Sequence, residues 1–467
     1  MEKKLSFMEK LTYGLGAVGK DMVYMLSASY ILYYYQDIMG VSAWAMGIIL
    51  LVARVFDAFN DPVMGILVAK TKTKFGKFRP WLMIGTITNA IILYLMFAAP
   101  PTLNGSGLVA YAAVTYILWG VTYTMMDIPY WSMVPAFTDG GKERENLSAL
   151  ARSCAGVGSA LITVVTILLV SALGTAFAGS GAAANEIERV GFKYFTLIVA
   201  VIFIVFITIM CMTIKEKSTV DMQTATVKDM FNALVSNDQA MTMVITIVLV
   251  NSAVYITSNL VIYFFKYDFG GADWRSAYTL FNTFGGGIQI LSMMIFFPLL
   301  RKFLSSMRIF YICFISAIAG YAVLLMITFT AMKNVGVLLI PAFFIFGAVG
   351  LLNVLTTVFL ANTVDYGELK NNRRDESVIF SMQTFVVKLA SGIAALIASL
   401  CLTIFNISSD EEAVVSAASS SVIGLRMTMT ILPILVLVIG VLAFKKNYIL
   451  TDEKLEEISQ QLKAKAE

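Results

Sequence analysis

Apolar runs of about 20 residues, the length that crosses a bilayer as a helix, recur twelve times along this chain. The predicted spans are 11–36, 44–69, 80–99, 107–135, 149–172, 193–213, 239–265, 276–299, 306–331, 335–363, 376–406 and 420–444. The longest polar interruption between them runs from Lys215 to Gln239. That interruption predicts two halves of six spans: an N-terminal half at 1–214, a cytoplasmic middle loop at 215–238 and a C-terminal half at 239–445. The remaining 446–467 alternates charged and apolar residues, as a cytoplasmic amphipathic helix does.

Basic residues fall in alternate loops. Lys70, Lys72, Lys74, Lys77 and Arg79 follow the second span, Arg301, Lys302 and Arg308 follow the eighth, and Lys370, Arg373 and Arg374 follow the tenth. Loops on the other side hold no basic residue after the first or third span. Because short cytoplasmic loops accumulate Lys and Arg, both termini are expected in the cytoplasm. The first span keeps Lys20 and Asp21 inside it and lacks a small-residue cleavage site, so it is expected to stay in place as a helix rather than act as a removable leader.

Composition agrees with the pattern. Only 14% of residues are charged and mean hydropathy is +0.80, whereas soluble domains carry about 25% charged residues. This is an all-α, polytopic membrane protein. The absence of histidine argues against a His-based metal centre or proton relay. Cys154, Cys211, Cys313 and Cys401 stand far apart in apolar segments and read as small buried residues.

The chemistry lies in charges placed where they are expensive. An ionised side chain at the bilayer centre costs about 2.5–3.5 kcal/mol on insertion scales, so such residues usually serve a function. The second span holds Arg54, Asp57, Asn60 and Asp61; positions 54, 57 and 61 share one helical stripe. Two carboxylates on one stripe form an oxygen-rich site for a small cation. The fourth span carries Tyr123, Thr124, Asp127 and Trp131, the last three a turn apart on one face. A carboxylate beside an indole suits a sugar: the carboxylate accepts from hydroxyls, and the ring covers the apolar C–H face. Pro129 is expected to kink this span. Arg152 and Lys388 fit a counter-ion role, a ligand role or both. Tyr33, Tyr34 and Tyr35 are expected to form an interfacial aromatic belt, with Asp37, Lys266, Asp365 and Glu368 interfacial too. Gly76 suits a tight turn within the basic loop 71–79. The Gly14–Gly19 stretch matches a dinucleotide-binding pattern, but no strand precedes it, and small residues on a helix-packing face explain it better.

These blocks resemble the glycoside–pentoside–hexuronide:cation symporters, nearest their melibiose-carrying branch. The resemblance rests on Tyr13–Asp21, Leu51–Pro62, Gly76–Trp81, Tyr116–Pro135, Asp365–Glu368 and Gln383–Lys388, and runs almost from end to end. It implies the major facilitator fold, twelve transmembrane helices in two six-helix halves, in a bacterial inner membrane. It implies that Asp57 and Asp61, with Thr124 and Asn60, take sodium, lithium or a proton. It implies that Asp21, Asp127, Trp131 and Arg152 hold a galactoside such as melibiose, surrounded by Lys20, Tyr123, Thr384, Val387 and Lys388. Asn353 departs from the pattern, standing where the melibiose-carrying branch has a tryptophan, which leaves the identity of the sugar open.

Asp21, Asp57, Asp61 and Asp127 balance Lys20, Arg54, Arg152 and Lys388. A neutral sugar with one cation suits that balance better than a hexuronide. The expected activity is symport by alternating access, with another glycoside, pentoside or hexuronide as the alternative cargo. A non-transporting sugar receptor is the rival class. No enzyme is expected, since no nucleophile or metal set accompanies the acid pair. No cofactor beyond the coupling ion and no nucleic-acid partner is expected. The partners are the sugar, the monovalent cation and the lipid bilayer, and nothing in the sequence calls for more than a monomer.

Overall fold

A computed structural model describes residues 5–133, 141–214, 227–271, 273–330, 334–371, 376–407 and 420–466. Every regular element among these residues is helical. The first six helices are α1 (Phe7–Tyr33), α2 (Ala43–Lys70), α3 (Arg79–Phe97), α4 (Gly105–Ser132), α5 (Gly141–Ala178) and α6 (Ala184–Thr213). After a short α7 (Val227–Ser236) come α8 (Asp238–Tyr263), α9 (Trp274–Leu291), α10 (Ser306–Thr330), α11 (Val335–Asn371), α12 (Glu376–Ile404), α13 (Ser420–Asn447) and α14 (Asp452–Ala466). Eleven of them, α2–α6 and α8–α13, are long and apolar enough to cross a membrane. The twelfth long helix, α1, carries Lys20 and Asp21 in mid-length and buries the lysine.

Described residues before Ala225 form one compact unit, and those from Ala225 onward form another. The predicted middle loop is partly helical: α7 occupies Val227–Ser236, while 215–226 lie outside the described residues, as do Arg373 and Arg374 of the loop after α11.

In the first unit α1 packs against α5 and α6, α3 against α4 and α6, and α2 against α4. The glycines of the Gly14–Gly19 stretch serve this packing. A Cβ at Gly14 would meet Cys154 Sγ at 2.8 Å, one at Gly16 would meet Met210 Sδ at 2.6 Å, and one at Gly19 would meet the Phe203 backbone at 3.3 Å. In the second unit α8 packs against α12 and α13, α10 against α11 and α13, and α9 against α11.

Helix ends follow local chemistry. Ser6 and Glu9 form a reciprocal capping box at α1, and Ser42 caps α2. Gly76 adopts φ +103°, a conformation that disfavours a Cβ, and the Thr73 hydroxyl donates to its carbonyl at 2.6 Å. The Trp81 indole donates to Thr71 Oγ1 at 2.8 Å, tying α3 to the end of α2.

Two expectations change. Tyr33, Tyr34 and Tyr35 form an interior cluster: all three are buried, Tyr33 Oη donates to Glu188 and Tyr35 Oη to the Met96 carbonyl. Asp37 is fully buried rather than interfacial. The shared reason is packing. Helix ends that hydropathy places near the interface are enclosed by neighbouring helices, and Glu188 of α6 and the Met96 carbonyl of α3 accept the Tyr33 and Tyr35 hydroxyls. Pro129 lies inside α4, which runs on to Ser132.

Candidate functional site

In the first unit α1, α2 and α4 carry two adjoining clusters, with α5 contributing to one. Lys20 of α1 is the centre of the first. Its ammonium stands 2.8 Å from Asp127 Oδ1 on α4 and 3.2 Å from Asp21 Oδ2, and donates to Tyr123 Oη at 3.2 Å. It also lies over the Tyr123, Tyr130 and Trp131 rings at 5.2–5.7 Å from their centroids. Lys20 is 4% exposed, whereas the Asp21 and Asp127 side chains are 18% and 22% exposed. The lysine is thus buried behind carboxylates that stay open to a ligand. Arg152 of α5 is exposed, with its guanidinium 5.2 Å from the Trp131 centroid. Two acids and two bases make this cluster neutral.

Rigid aromatic packing holds the cluster. Tyr13 and Tyr130 stack at 4.5 Å, and each hydroxyl donates to the other's backbone carbonyl, at 2.7 and 2.8 Å. This reciprocal pair fixes α1 to α4 beside Trp131, whose ring meets Tyr130 edge-on at 5.2 Å. Such a platform presents the indole without rotamer loss on binding.

The second cluster sits on α2 against α4. Thr124 Oγ1 donates to Asp61 Oδ1 at 2.9 Å. Arg54 Nη1 stands 3.4 Å from Asp57 Oδ2, and both residues are 5% exposed. Asn60 is half-buried, its amide nitrogen lacking a hydrogen-bond partner among the described residues. The oxygen donors of Asp57, Asp61 and Thr124 suit one monovalent cation. Among the described residues no group of three or more His, Cys, Asp or Glu gathers that could hold a metal ion.

Gly120, Tyr24 and Tyr116 join this cluster without having been foreseen. A Cβ at Gly120 would overlap the Asp57 carboxylate, so the missing side chain is what lets Asp57 reach α4. Arg54 stacks over Tyr24 and Tyr116 at 5.7 and 6.0 Å. The signal was spacing: Tyr116, Gly120, Thr124, Asp127 and Trp131 recur at three- and four-residue steps on one face of α4.

The remaining sequence-named residues lie in the second unit. Asn353 is exposed on α11, and Val387 and Lys388 are half-buried on α12. Thr384 is also on α12, and its side chain lies outside the described residues. That unit holds a pair the sequence reading passed over. Asp268 accepts from Arg426 Nε and Nη2, both at 2.7 Å, with the two side chains 1% and 3% exposed.

Residues 12–451 match the family of MFS/sugar transport proteins. The chain belongs to that family. It is a membrane transporter and not an enzyme. A putative glycoside/cation symporter of Escherichia coli (strain K12), YagG, is 29% identical, covering 98% of this chain and 95% of the relative. A lactose permease of Lactobacillus delbrueckii subsp. bulgaricus is 28% identical, covering 99% of this chain and 73% of that protein. A solved structure of a proton dependent oligopeptide transporter superposes with TM-score 0.69 at 10% identity, over 97% of this transporter and 99% of the other. At that identity the likeness speaks for fold alone, and the fold is the major facilitator fold.

Proposed function

We propose that this transporter couples inward flow of sodium, lithium or a proton to uptake of a galactoside such as melibiose, by alternating access in a bacterial inner membrane with both termini cytoplasmic. The observation that carries the reading is the pairing of two clusters that share α4, one rich in carboxylate oxygens and one built around Lys20. The α2 cluster offers the Asp57 and Asp61 carboxylates beside the Thr124 hydroxyl, donors that suit a monovalent cation. The Lys20 cluster is neutral and half-open, with carboxylates to accept sugar hydroxyls and Trp131 to cover a ring face. The relatives support the coarser statement of glycoside and cation symport. Asp57, Asn60, Asp61 and Thr124 are the proposed cation ligands, and Lys20, Asp21, Tyr123, Asp127, Trp131 and Arg152 the proposed sugar site. Asn353, Thr384, Val387 and Lys388 enter through the family resemblance.

Purified protein in liposomes tests the reading directly. Melibiose is expected to stimulate sodium uptake, and a sodium gradient to concentrate melibiose. Binding of sugar without any cation movement would indicate a receptor instead.

Asn353 favours one second reading. An exposed amide replaces the tryptophan of the melibiose-carrying branch, so a glycoside other than melibiose fits the same core. Competition among galactosides, glucosides and pentosides for cation-driven uptake ranks the candidates.

A further inference from the structure

At the end of α3 remote from the basic loop Lys70–Arg79, a cavity of about 200 Å³ opens in the first unit. It shares no residue with the two clusters above. Arg189 and Lys193 of α6 supply its charge, and Tyr34, Phe97, Phe177 and Tyr194 supply rings. Glu186 takes Arg189 Nε and Nη2, at 2.9 and 2.7 Å, which fixes the guanidinium plane and leaves Nη1 outside the pair. Lys193 is exposed, without an acidic partner among the described residues, its ammonium 5.9 Å from the Tyr194 centroid. The nearby Glu188 is buried and engaged by Tyr33. Arg189 and Lys193 are the charged residues among those that line the cavity, and both suit a phosphodiester. Beside them Phe177 is 59% exposed and stacks on Tyr194 at 4.1 Å, an apolar flank on a membrane-crossing helix.

We propose that this cavity seats the headgroup of an anionic phospholipid of the outer leaflet, phosphate against Arg189 and Lys193, first acyl segment along Phe177. Basic pockets between membrane helices bind anionic headgroups by this chemistry. Aromatic residues at the interface anchor the same region. The occupant is a lipid and not free phosphate, because the exposed Phe177 ring, on a helix long and apolar enough to cross a membrane, offers an acyl chain an apolar flank beside the two bases.

The full-length protein, in detergent with phosphatidylglycerol or phosphatidylcholine added at equal concentration, tests this by native mass spectrometry. Preferential retention of phosphatidylglycerol is expected. Lys193→Gln, a surface change that spares folding, is expected to lower that preference about fivefold, the effect of one basic residue near a headgroup. Arg189→Gln is expected to do likewise, whereas Lys454→Gln in α14 leaves the preference unchanged. Glycerol phosphate at the same concentration is expected not to displace the lipid. Equal retention of the two lipids, or unaltered preference in Lys193→Gln, overturns the proposal. Displacement by glycerol phosphate overturns the lipid and leaves a site for a soluble phosphate.

Discussion

Thr124 donates its hydroxyl to Asp61 at 2.9 Å, so the side chain that ties α4 to α2 stands three residues from the carboxylate that ties α4 to Lys20. One helix thereby touches both clusters. Removing the hydroxyl leaves Asp61 one donor fewer and the interhelical tie broken. A hydrogen bond to a charged group is worth about 1.5–3 kcal/mol. Thr124→Ala is expected to weaken cation affinity by about tenfold or more, at the lower end of that range, while Thr124→Ser stays near native. Sodium titration by calorimetry, with and without sugar, measures both.

The sugar cluster responds differently. Asp127→Ala strips Lys20 of its nearer partner, at 2.8 Å, as well as removing an acceptor for the ligand. Trp131→Ala removes the platform that Tyr130 and Arg152 flank. Each is expected to weaken galactoside binding by about 2 kcal/mol or more, because a buried polar partner or an aromatic face is lost. Near-native affinity in either variant would place the sugar elsewhere.

Gly120 gives a test confined to the cation side. A methyl group there overlaps the Asp57 carboxylate, so Gly120→Ala has to displace Asp57 or part α2 from α4. Overpacking of this kind costs about 1–3 kcal/mol. Cation-driven uptake is expected to fall about tenfold while galactoside binding measured without added cation changes little. Equal loss of both would show that the two clusters do not separate as described.

Much of this was legible because membrane physics makes polar residues conspicuous. Asp57, Asp61, Asp127 and Lys20 stood out against apolar surroundings, and helical spacing alone put Thr124, Asp127 and Trp131 on one face. Spacing could not say which charge pairs with which across helices. Lys20 turned out to hold Asp21 and Asp127, while Arg54 holds Asp57. Gly120 escaped notice because a glycine has no chemistry until its neighbour is known. Hydropathy also misread helix ends: Tyr33, Tyr34, Tyr35 and Asp37 look interfacial by position yet are buried, the last three in the π-helical turn Tyr34–Ile38 that continues α1. Arg426 was visible as a lone charge in the last span, but its partner Asp268, 158 residues earlier, was not deducible.

That Asp268–Arg426 pair makes a stability prediction. Both side chains are almost fully buried, and Arg426 also stacks on Phe329 at 5.1 Å. Breaking a buried pair by removing one partner costs about 3–5 kcal/mol, because the other charge remains uncompensated. Arg426→Met is expected to lower the Tm in detergent markedly, and Asp268→Leu with Arg426→Met to recover most of the loss. If the double variant is as unstable as the single, the pair acts through packing and not through charge.

The last prediction concerns coupling itself. Without a cation the Asp57 and Asp61 carboxylates share one stripe of α2, Arg54 standing 3.4 Å from Asp57 and Thr124 2.9 Å from Asp61. A bound cation neutralises carboxylate charge there and draws Asp57, Asp61 and Thr124 onto one centre. Thr124 is on α4, so α4 is then held in the register that presents Asp127 and Trp131. The sugar, by engaging Asp127, favours the same position of α4 and therefore the filled cation site. Such coupling is reciprocal by thermodynamic necessity, and typically amounts to about 1–3 kcal/mol. Sodium is expected to lower the melibiose Kd about fivefold or more at fixed pH, within that range, and melibiose to tighten sodium by the same factor. Thr124→Ala is expected to shrink both factors together, since it removes the tie through which α2 and α4 communicate. Calorimetric titration of each ligand at zero and saturating concentration of the other measures all four Kd values. Sugar affinity indifferent to both sodium and pH would leave a passive facilitator or a receptor as the better account of the same geometry.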